Sequence, residues 1–294
     1  MSACWLNGNL VDDSMAVVSV FDHGLLYGDG VFEGLRFYHG RCFMLAAHLE
    51  RLQQSARALA LTIPYDLPTL SRAIADTISA SGLQHGYLRL VITRGPGSLG
   101  VDPANCPQPT VFIIADHLQL VSDALRRQGL RIAIVNTRRV PDSCWDSRIK
   151  SLNYLNNVLA RQQARAAGAD EGIMLNQQGH VSEGSVNNIF IVSNNALLTP
   201  AAADGALEGI TRSVILELAA AAGITISVRS LTAYDLYTAD ECFLSGTGVE
   251  LLPVRQIDNH SLGTCPGAVF QSLETAFRNY VDRHCQQTPA ELAS

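Results

Sequence analysis

The sequence contains almost no lysine. Of its 21 basic residues, all but Lys150 are arginines. A G+C-rich genome also favours arginine, so scarcity of lysine alone does not establish a function. Arginine does not form imines because its guanidinium stays protonated, whereas a lysine taken out of water loses its proton more readily. Lys150 is therefore the single lysine available for amine chemistry in this chain.

The sequence also lacks the marks of export, membrane insertion and nucleic-acid binding. No apolar run is long enough to span a bilayer, and the N-terminal residues MSACWLNGNLVDD do not read as a signal peptide. The seven cysteines are scattered without a CxxC pair, which favours free thiols in a reducing compartment. The net charge is −6 and no basic block occurs. We expect a cytoplasmic protein that binds neither membrane nor nucleic acid.

Several motifs that would indicate other chemistry are absent or incomplete. The histidines show no HxxxH or HExxH spacing, so no metal site is expected. Ser182 lies in HVSEG, which is a poor match to the GxSxG of hydrolases. Residues 95–100 match GxGxxG, but the prolines that follow exclude the helix a dinucleotide site needs. We interpret this stretch as a glycine-rich loop.

Length and composition predict a well-buried globular protein of two domains. The chain has 294 residues, of which 47% are hydrophobic and 16% charged. We place a smaller domain at 1–118, a more polar linker at 119–130, and a larger domain at 131–294. No internal repeat is present.

Residue periodicity predicts a mixture of helices and strands, hence an α/β fold. Helical spacing and terminal glycines predict helices over 46–60, 67–81, 152–167, 211–222 and 267–284. Apolar and β-branched runs predict strands over 87–93, 110–115, 130–136, 171–176, 188–193, 224–230 and 241–246. Asn7-Gly8 predicts a hairpin turn. Lys150 is expected at the start of the helix at 152–167. This pattern does not by itself identify a reaction.

Two motifs carry a family resemblance. Lys150 lies in IKSLNYLNN, and a second motif, VSEGSVNNIF, follows it at 181–190. Together they resemble the fold-type IV enzymes dependent on pyridoxal 5′-phosphate (PLP), that is, the class IV aminotransferases. The resemblance covers about residues 3–284. It implies a smaller N-terminal α/β sandwich and a larger C-terminal pseudo-barrel domain.

The resemblance implies a role for each matching residue. Lys150 would hold PLP as an aldimine and transfer the proton between substrate Cα and cofactor. Glu183 would face the pyridine nitrogen and keep it protonated. Tyr154 would bind the phenolic oxygen, and Asn188 would support the ring. The residues that would hold the cofactor phosphate and its surroundings are Arg51, Leu207, Gly209, Ile210, Thr211, Gly246 and Thr247. An arginine and the first amides of a helix suit a phosphate dianion.

The substrate contacts resemble those of the branched-chain aminotransferases. FDHGLLYGDGVFEGLRFY at 21–38 would place Tyr27 and Phe32 in an apolar side-chain pocket. Tyr87, Arg89 and the Thr247-Gly248 backbone would bind the substrate carboxylate, although Arg89 could instead belong to a structural ion pair. We therefore expect ping-pong transamination of Leu, Ile and Val with 2-oxoglutarate as acceptor.

Alternatives remain open at this point. Arg94-Gly95 lies where D-amino acid aminotransferases carry a specificity arginine, and TVFIIADHLQL lacks the tryptophan of some branched-chain enzymes. An aminodeoxychorismate lyase would use the same cofactor, and a non-catalytic binding protein could keep the same fold. The sequence does not determine substrate enantiomer, best amino acceptor or pathway direction. The resemblance implies a homodimer, or a higher oligomer, in which residues near Tyr27 reach the partner's site.

Overall fold

The computed structural model describes residues 2–286, which form two compact units. Unit 1 contains residues 2–118, Ile149–Asn153 and residues 281–286; unit 2 contains Gln119–Arg148 and Tyr154–Tyr280. Residues 119–130, expected as a linker, group with unit 2. Ile149–Asn153, expected in the larger domain, group with unit 1. No helix among residues 2–286 has the length and apolarity needed to cross a membrane.

Unit 1 is built on an antiparallel sheet of six strands in the order β2-β1-β6-β5-β3-β4. The strands are β1 (Ala3–Leu6), β2 (Asn9–Val11), β3 (Gly30–Tyr38), β4 (Arg41–Cys42), β5 (Gly86–Thr93) and β6 (Thr110–Asp116). The helices are α1 (His23–Tyr27), α2 (Leu45–Ala58) and α3 (Leu67–Ser81). Asn7 and Gly8 form the turn between β1 and β2 with φ of 45° and 105°, as predicted.

The core of unit 1 follows from the alternation of β3. Val31, Leu35 and Phe37 are fully buried and pack with apolar residues of α2 and α3. The Asp66 side chain accepts from the amide of Thr69 and begins α3. Gly82 ends α3 at a φ of 68°, a conformation that glycine adopts without strain. One face of β3 is thereby turned toward the core.

Unit 2 contains a sheet of nine strands, in the order β12-β11-β10-β13-β14-β7-β8-β9 with β15 paired to β14. The strands are β7 (Leu130–Ile134), β8 (Glu171–Leu175), β9 (Val181–Gly184), β10 (Asn188–Ser193), β11 (Ala196–Thr199), β12 (Thr225–Val228), β13 (Glu241–Gly246), β14 (Glu250–Ile257) and β15 (His260–Ser261). The helices are α4 (Asp123–Gln128), α5 (Leu155–Ala166), α6 (Ile210–Ala221), α7 (Ala233–Tyr237) and α8 (Ala268–Gln286), of which residues 281–286 group with unit 1.

Strand pairing in unit 2 places two predicted site segments side by side. β10 and β13 are antiparallel, with Asn188 opposite Ser245 and Phe190 opposite Phe243. The two phenylalanine rings stack at 5.0 Å within the buried core. The start of β10 and the turn after β13 therefore lie at the same edge of the sheet. The predicted mixed α/β class is confirmed.

Candidate active site

Lys150 lies on an extended segment beside β3. The amide of Phe32 donates to the carbonyl of Lys150 at 3.0 Å, and the amide of Leu152 donates to the carbonyl of Gly30 at 2.9 Å. α5 begins only at Leu155. The prediction that Lys150 starts a helix was wrong, because backbone pairing with β3 holds residues 150–152 extended.

An amine and a guanidinium both lie against the ring of Phe32. The Nζ atom of Lys150 is 4.6 Å from the ring centroid, and the Cζ atom of Arg89 is 4.5 Å from it. Phe32 is buried, and Lys150 and Arg89 are half-buried. Gly34 pairs with Arg89 between β3 and β5, so the side chains of Phe32 and Arg89 project from one face of the sheet. Three of the predicted site residues are thus together.

Tyr87 also lies on this face. Its hydroxyl lies over Gly34, where an added Cβ would come within 2.0 Å of the Oη atom. The Cζ atom of Arg89 is 5.6 Å from the Tyr87 ring centroid. Within the described part of the chain, no carboxylate forms a salt bridge with Arg89. The structural ion-pair alternative for Arg89 therefore finds no support there.

Arg51 of α2 is held by a buried carboxylate. Its Nε and Nη2 atoms donate to Oε1 and Oε2 of Glu33 at 2.7 and 2.8 Å. The Nδ1 atom of His48 lies 2.7 Å from Oε2. Burial raises the pKa of Glu33, but Arg51 and His48 outweigh burial and lower that pKa to about 2. Two parallel hydrogen bonds set the plane of the guanidinium, so Glu33 positions the arginine predicted for phosphate.

Arg94, the residue compared with the D-amino acid enzymes, is engaged in structural contacts. Its Nε and Nη2 atoms donate to Asp29 at 2.8 and 3.1 Å. Nη1 donates to the carbonyl of Ala60 at 2.8 Å, and Nη2 also donates to that of Leu59 at 2.7 Å. The side chain is 12% exposed. These contacts use the guanidinium to join β5 to the end of α2.

Tyr27 anchors the glycine-rich loop. Its hydroxyl accepts from the amide of Gly100 at 2.9 Å, and its ring contacts His23 edge-on at 4.9 Å. Residues 95–100 contain no helix, which agrees with their interpretation as a loop. Tyr27 is 37% exposed in the isolated chain.

In unit 2, the carboxylate of Glu183 has donors on both oxygens. Oε1 lies 3.0 Å from the Nη2 atom of Arg139. Oε2 accepts from the amide of Leu207 at 2.9 Å and from the Nδ2 atom of Asn188 at 3.4 Å. The Asn188 amide also donates to the carbonyl of Leu207 at 2.8 Å. The predicted residues Asn188 and Leu207 thus bind the carboxylate of the predicted Glu183. Arg139, which was not predicted, binds it as well.

The start of α6 offers amides to an anion. Gly209 is its N-cap, and no side chain caps the helix. An added Cβ on Gly209 would come within 2.0 Å of the Oδ1 atom of Asn188. Ile210 and Thr211 are buried in the first turn. Glycine at 209 therefore lets the helix terminus approach Asn188 closely.

The turn after β13 brings further polar groups to the same edge of the sheet. Ser245 lies opposite Asn188, and its Oγ atom is buried with no hydrogen-bond partner among residues 2–286. The amide of Val249 donates to the carbonyl of Gly246 at 3.1 Å and closes the turn that contains Thr247 and Gly248. Both of these residues are half-buried.

Tyr154 precedes α5 and lines a cavity of about 390 Å³. The cavity lies within unit 2, and its walls include Leu120, Leu125, Val158 and Leu252. Tyr154 is half-buried. No group of three or more potential metal ligands occurs among residues 2–286.

Sequence reasoning missed two positioning groups. Glu33 occupies an inward-facing position of β3 between Val31 and Leu35, and a carboxylate at such a position signals a buried partner. Arg139 gave no comparable signal, because its contacts with Glu183 and Gly205 join residues far apart in sequence.

Taken within each unit separately, the residues present suit the groups of a phosphorylated pyridine cofactor. A phosphate can accept from the uncapped amides of α6, and the buried Oγ of Ser245 still has a hydrogen to donate. Glu183 is an acceptor suited to a protonated ring nitrogen. Arg51 suits the phosphate charge.

Comparison with protein families identifies the chain. The family model for amino-transferase class IV matches residues 30–257. The chain belongs to the class IV aminotransferases. The predicted family and the predicted enzyme class, an aminotransferase, are thereby confirmed.

Individual class IV aminotransferases match nearly the whole chain. A protein of Methanocaldococcus jannaschii is 45% identical over 276 residues, covering 94% of this chain and 95% of the relative; its name describes it provisionally as a branched-chain-amino-acid aminotransferase. The structure of the branched-chain aminotransferase of Thermoproteus uzoniensis with norvaline superposes with a TM-score of 0.89 at 39% identity, covering 95% and 94% of the two chains.

A third similar structure carries a cofactor adduct. It is a branched-chain amino acid aminotransferase of the organism abbreviated T.th., complexed with N-(5′-phosphopyridoxyl)-L-glutamate, with a TM-score of 0.88, 32% identity and coverage of 98% and 95%. The fold-type IV architecture expected from the sequence is confirmed by these superpositions.

Proposed function

We propose that this class IV aminotransferase uses PLP to transfer the amino group of branched-chain L-amino acids to 2-oxoglutarate. Two similar structures, with TM-scores of 0.88 and 0.89, are of branched-chain aminotransferases, and one of them holds a phosphopyridoxyl-glutamate adduct. That adduct joins the cofactor to glutamate, the amino acid that 2-oxoglutarate becomes. The relatives' names thus support both the donor class and the acceptor.

The observation that carries the proposal is the arrangement around Phe32. Lys150, the only lysine, and Arg89 each lie about 4.5 Å from the same buried ring. A guanidinium binds a carboxylate and an amine can accept a proton, so the pair suits the two polar groups on an amino acid's Cα. The apolar ring between them suits an aliphatic side chain nearby.

Each group has a task in the reaction. Bound PLP supplies an electron sink for the electrons left on the substrate Cα when its proton is removed. Lys150 accepts that proton at Nζ and returns it to the cofactor carbon. The Phe32 ring lies against the amine and shields it from water on that side. Arg89 and Tyr87 hold the substrate carboxylate and thereby orient the Cα–H bond, aided by the Thr247 and Gly248 amides.

The remaining residues hold the cofactor. Arg51, oriented by Glu33, binds the phosphate, as do the amides of Ile210 and Thr211 at the α6 terminus. The amide of Gly246 and the hydroxyl of Thr247 add further donors. Glu183 accepts from the ring nitrogen, Asn188 and Leu207 fix that carboxylate, and Tyr154 donates to the phenolic oxygen.

A donor panel tests the proposal. The purified enzyme is incubated with L-leucine, L-isoleucine, L-valine, D-alanine or aminodeoxychorismate, and loss of the near-visible cofactor absorbance is followed. We expect rapid loss with the three branched-chain L-amino acids and its recovery on adding 2-oxoglutarate. Faster reaction with D-alanine, or release of 4-aminobenzoate from aminodeoxychorismate, would contradict the assignment. A colourless protein would instead support a non-catalytic role.

We also propose that the enzyme acts as a homodimer in the cytoplasm. Unit 1 exposes a run of apolar side chains, namely Met15, Val17, Val18, Val20, Phe21, Leu25, Leu26 and Tyr27, with Leu99 and Val101 on the glycine-rich loop. A patch of this kind is typical of a subunit interface. All seven cysteines are free thiols, which suits a reducing compartment. An enzyme that sediments as a monomer and is fully active in kinetic assays would refute the dimer.

A further inference from the structure

Glu183 is held by an arginine whose own placement is fixed from several directions. The backbone amide of Arg139 donates to the carbonyl of Leu175 at 2.9 Å, at the end of β8. Its Nε donates to the carbonyl of Gly205 at 2.9 Å, and its Nη2 lies 3.0 Å from Oε1 of Glu183. The side chain is 13% exposed. Water therefore screens this ion pair only weakly.

Gly205 accommodates the stem of this arginine. It has a φ of 88°, and an added Cβ would come within 2.8 Å of the Cγ atom of Arg139. The same added Cβ would lie 3.2 Å from the Oγ atom of Ser182. The stem of Arg139 therefore lies across a position without a side chain, and the guanidinium is directed at the carboxylate.

The hydrogen-bond donors around Glu183 leave its carboxylate able to accept one more hydrogen bond. Arg139 occupies Oε1, whereas the Leu207 amide and the Asn188 side chain occupy Oε2. A carboxylate can accept about four hydrogen bonds in total, so one further donor is accommodated. An opposite charge at salt-bridge distance favours the ionised carboxylate. These donors on both oxygens fix the plane of the Glu183 carboxylate.

We propose that Arg139 is a positioning residue that, through Glu183, keeps the proton on the pyridine nitrogen of bound PLP. This inference rests on the proposed function. With Arg139 present, the Glu183 carboxylate remains anionic and the shared proton stays on the ring. Without that positive charge, a nearly buried carboxylate competes for the proton, which leaves the ring neutral. A neutral ring is a poorer electron sink.

The experiment uses PLP labelled with ¹⁵N in the ring, bound to the whole enzyme. Its ¹⁵N NMR shift distinguishes protonated from neutral pyridine, and it is recorded for wild type, Arg139→Gln, Arg139→Met and Arg139→Lys. Methionine keeps an apolar side chain over Gly205 but carries no charge. An effect shared by Arg139→Gln and Arg139→Met is therefore caused by loss of the charge and not by altered packing. Arg229→Gln is the control, since Arg229 pairs with Asp235 at 2.8 Å on the surface of unit 2.

We expect a protonated ring in wild type, Arg229→Gln and Arg139→Lys, and a shift toward neutral pyridine in both neutral variants of Arg139. PLP affinity of these neutral variants should fall about tenfold, because a charge-assisted contact on Glu183 is lost. A wild-type ¹⁵N shift in Arg139→Gln or Arg139→Met would overturn this inference and leave the proposed function intact. A wild-type enzyme that binds no PLP would overturn the proposed function.

Discussion

The hydroxyl of Tyr87 lies over Gly34 of the neighbouring strand, so closely that a Cβ at position 34 would come within 2.0 Å of it. Tyr87 and Arg89 share this face of the sheet with Phe32. Glycine at position 34 therefore allows the Tyr87 hydroxyl to lie beside Arg89, the arginine proposed to bind the substrate carboxylate. In the Phe-Glu-Gly motif, Phe32 thus contributes an aromatic ring and Glu33 a buried charge. Gly34 leaves room for the Tyr87 hydroxyl.

Replacing that glycine tests the carboxylate site. In Gly34→Ala the Tyr87 side chain must move, so the KM for the amino donor should rise by about tenfold or more while PLP binding changes little. Steady-state kinetics with L-leucine and a PLP titration separate the two effects. Gly263→Ala is the control, since among residues 2–286 no atom outside Gly263 and its two chain neighbours lies within 4 Å of the position where its Cβ would be. An unchanged KM would exclude Tyr87 from substrate binding.

The Glu33–Arg51 pair predicts a pH-dependent stability. Because Arg51 and His48 outweigh burial and hold the pKa of Glu33 at about 2, below its ordinary 4.5, the ionised carboxylate stabilises the fold above about pH 4.5. This contribution is lost as the pH falls from about 4.5 toward 2. Glu33→Gln removes the negative charge that faces Arg51, which should cost about 3 kcal/mol near neutrality.

Urea unfolding at a series of pH values measures this effect. The difference in unfolding free energy between wild type and Glu33→Gln should be largest near pH 7 and should narrow below about pH 4.5. Glu50→Gln, on an exposed position of the same helix as Arg51, should show almost no difference. A Glu33→Gln difference that stays constant from pH 7 to pH 3 would show that the pair does not titrate as described.

The close approach of Gly209 to Asn188 predicts the effect of a single methyl group. Gly209→Ala places its Cβ 2.0 Å from the Oδ1 atom of Asn188, so either the start of α6 or the Asn188 side chain must shift. Both are proposed to hold the cofactor, and we expect PLP affinity to fall by about tenfold or more. Equilibrium dialysis measures it, with Gly263→Ala again as control. If Gly209→Ala bound PLP with wild-type affinity, the α6 terminus would not take part in binding the phosphate.

Arg94 provides a test against the D-amino acid alternative. Its guanidinium is bound to Asp29 and to the carbonyls of Leu59 and Ala60. Arg94→Gln should therefore lower the free energy of unfolding by about 2 kcal/mol, since several charged hydrogen bonds are lost. The ratio of activities with L-leucine and D-alanine should not change. A changed ratio would give Arg94 a role in substrate choice.

Local sequence signals predicted most elements of the fold. The helix at 67–81 and the strands at 188–193 and 241–246 agree with α3, β10 and β13, because caps and apolar runs are encoded within a few residues. The helix expected from 152 begins at Leu155 instead, since residues 150–152 pair with β3. That pairing joins segments more than a hundred residues apart, and periodicity does not report it.

The site was predictable to a similar extent. The single lysine and the two motifs around Lys150 and Glu183 identified a family that the comparisons confirm. Glu33 and Arg139 were not predicted as partners of Arg51 and Glu183. Their function depends on distances between strands and loops, which a single sequence does not contain.

Borohydride reduction followed by peptide mapping tests the central claim most directly. We expect a pyridoxyl adduct on the peptide that contains Lys150 in the wild-type enzyme. Lys150→Ala should show no adduct, and its transamination should fall by about 10²–10⁴-fold or more, because the proton acceptor is lost. An adduct on the N-terminal amine instead, or equal turnover in the variant, would contradict the account.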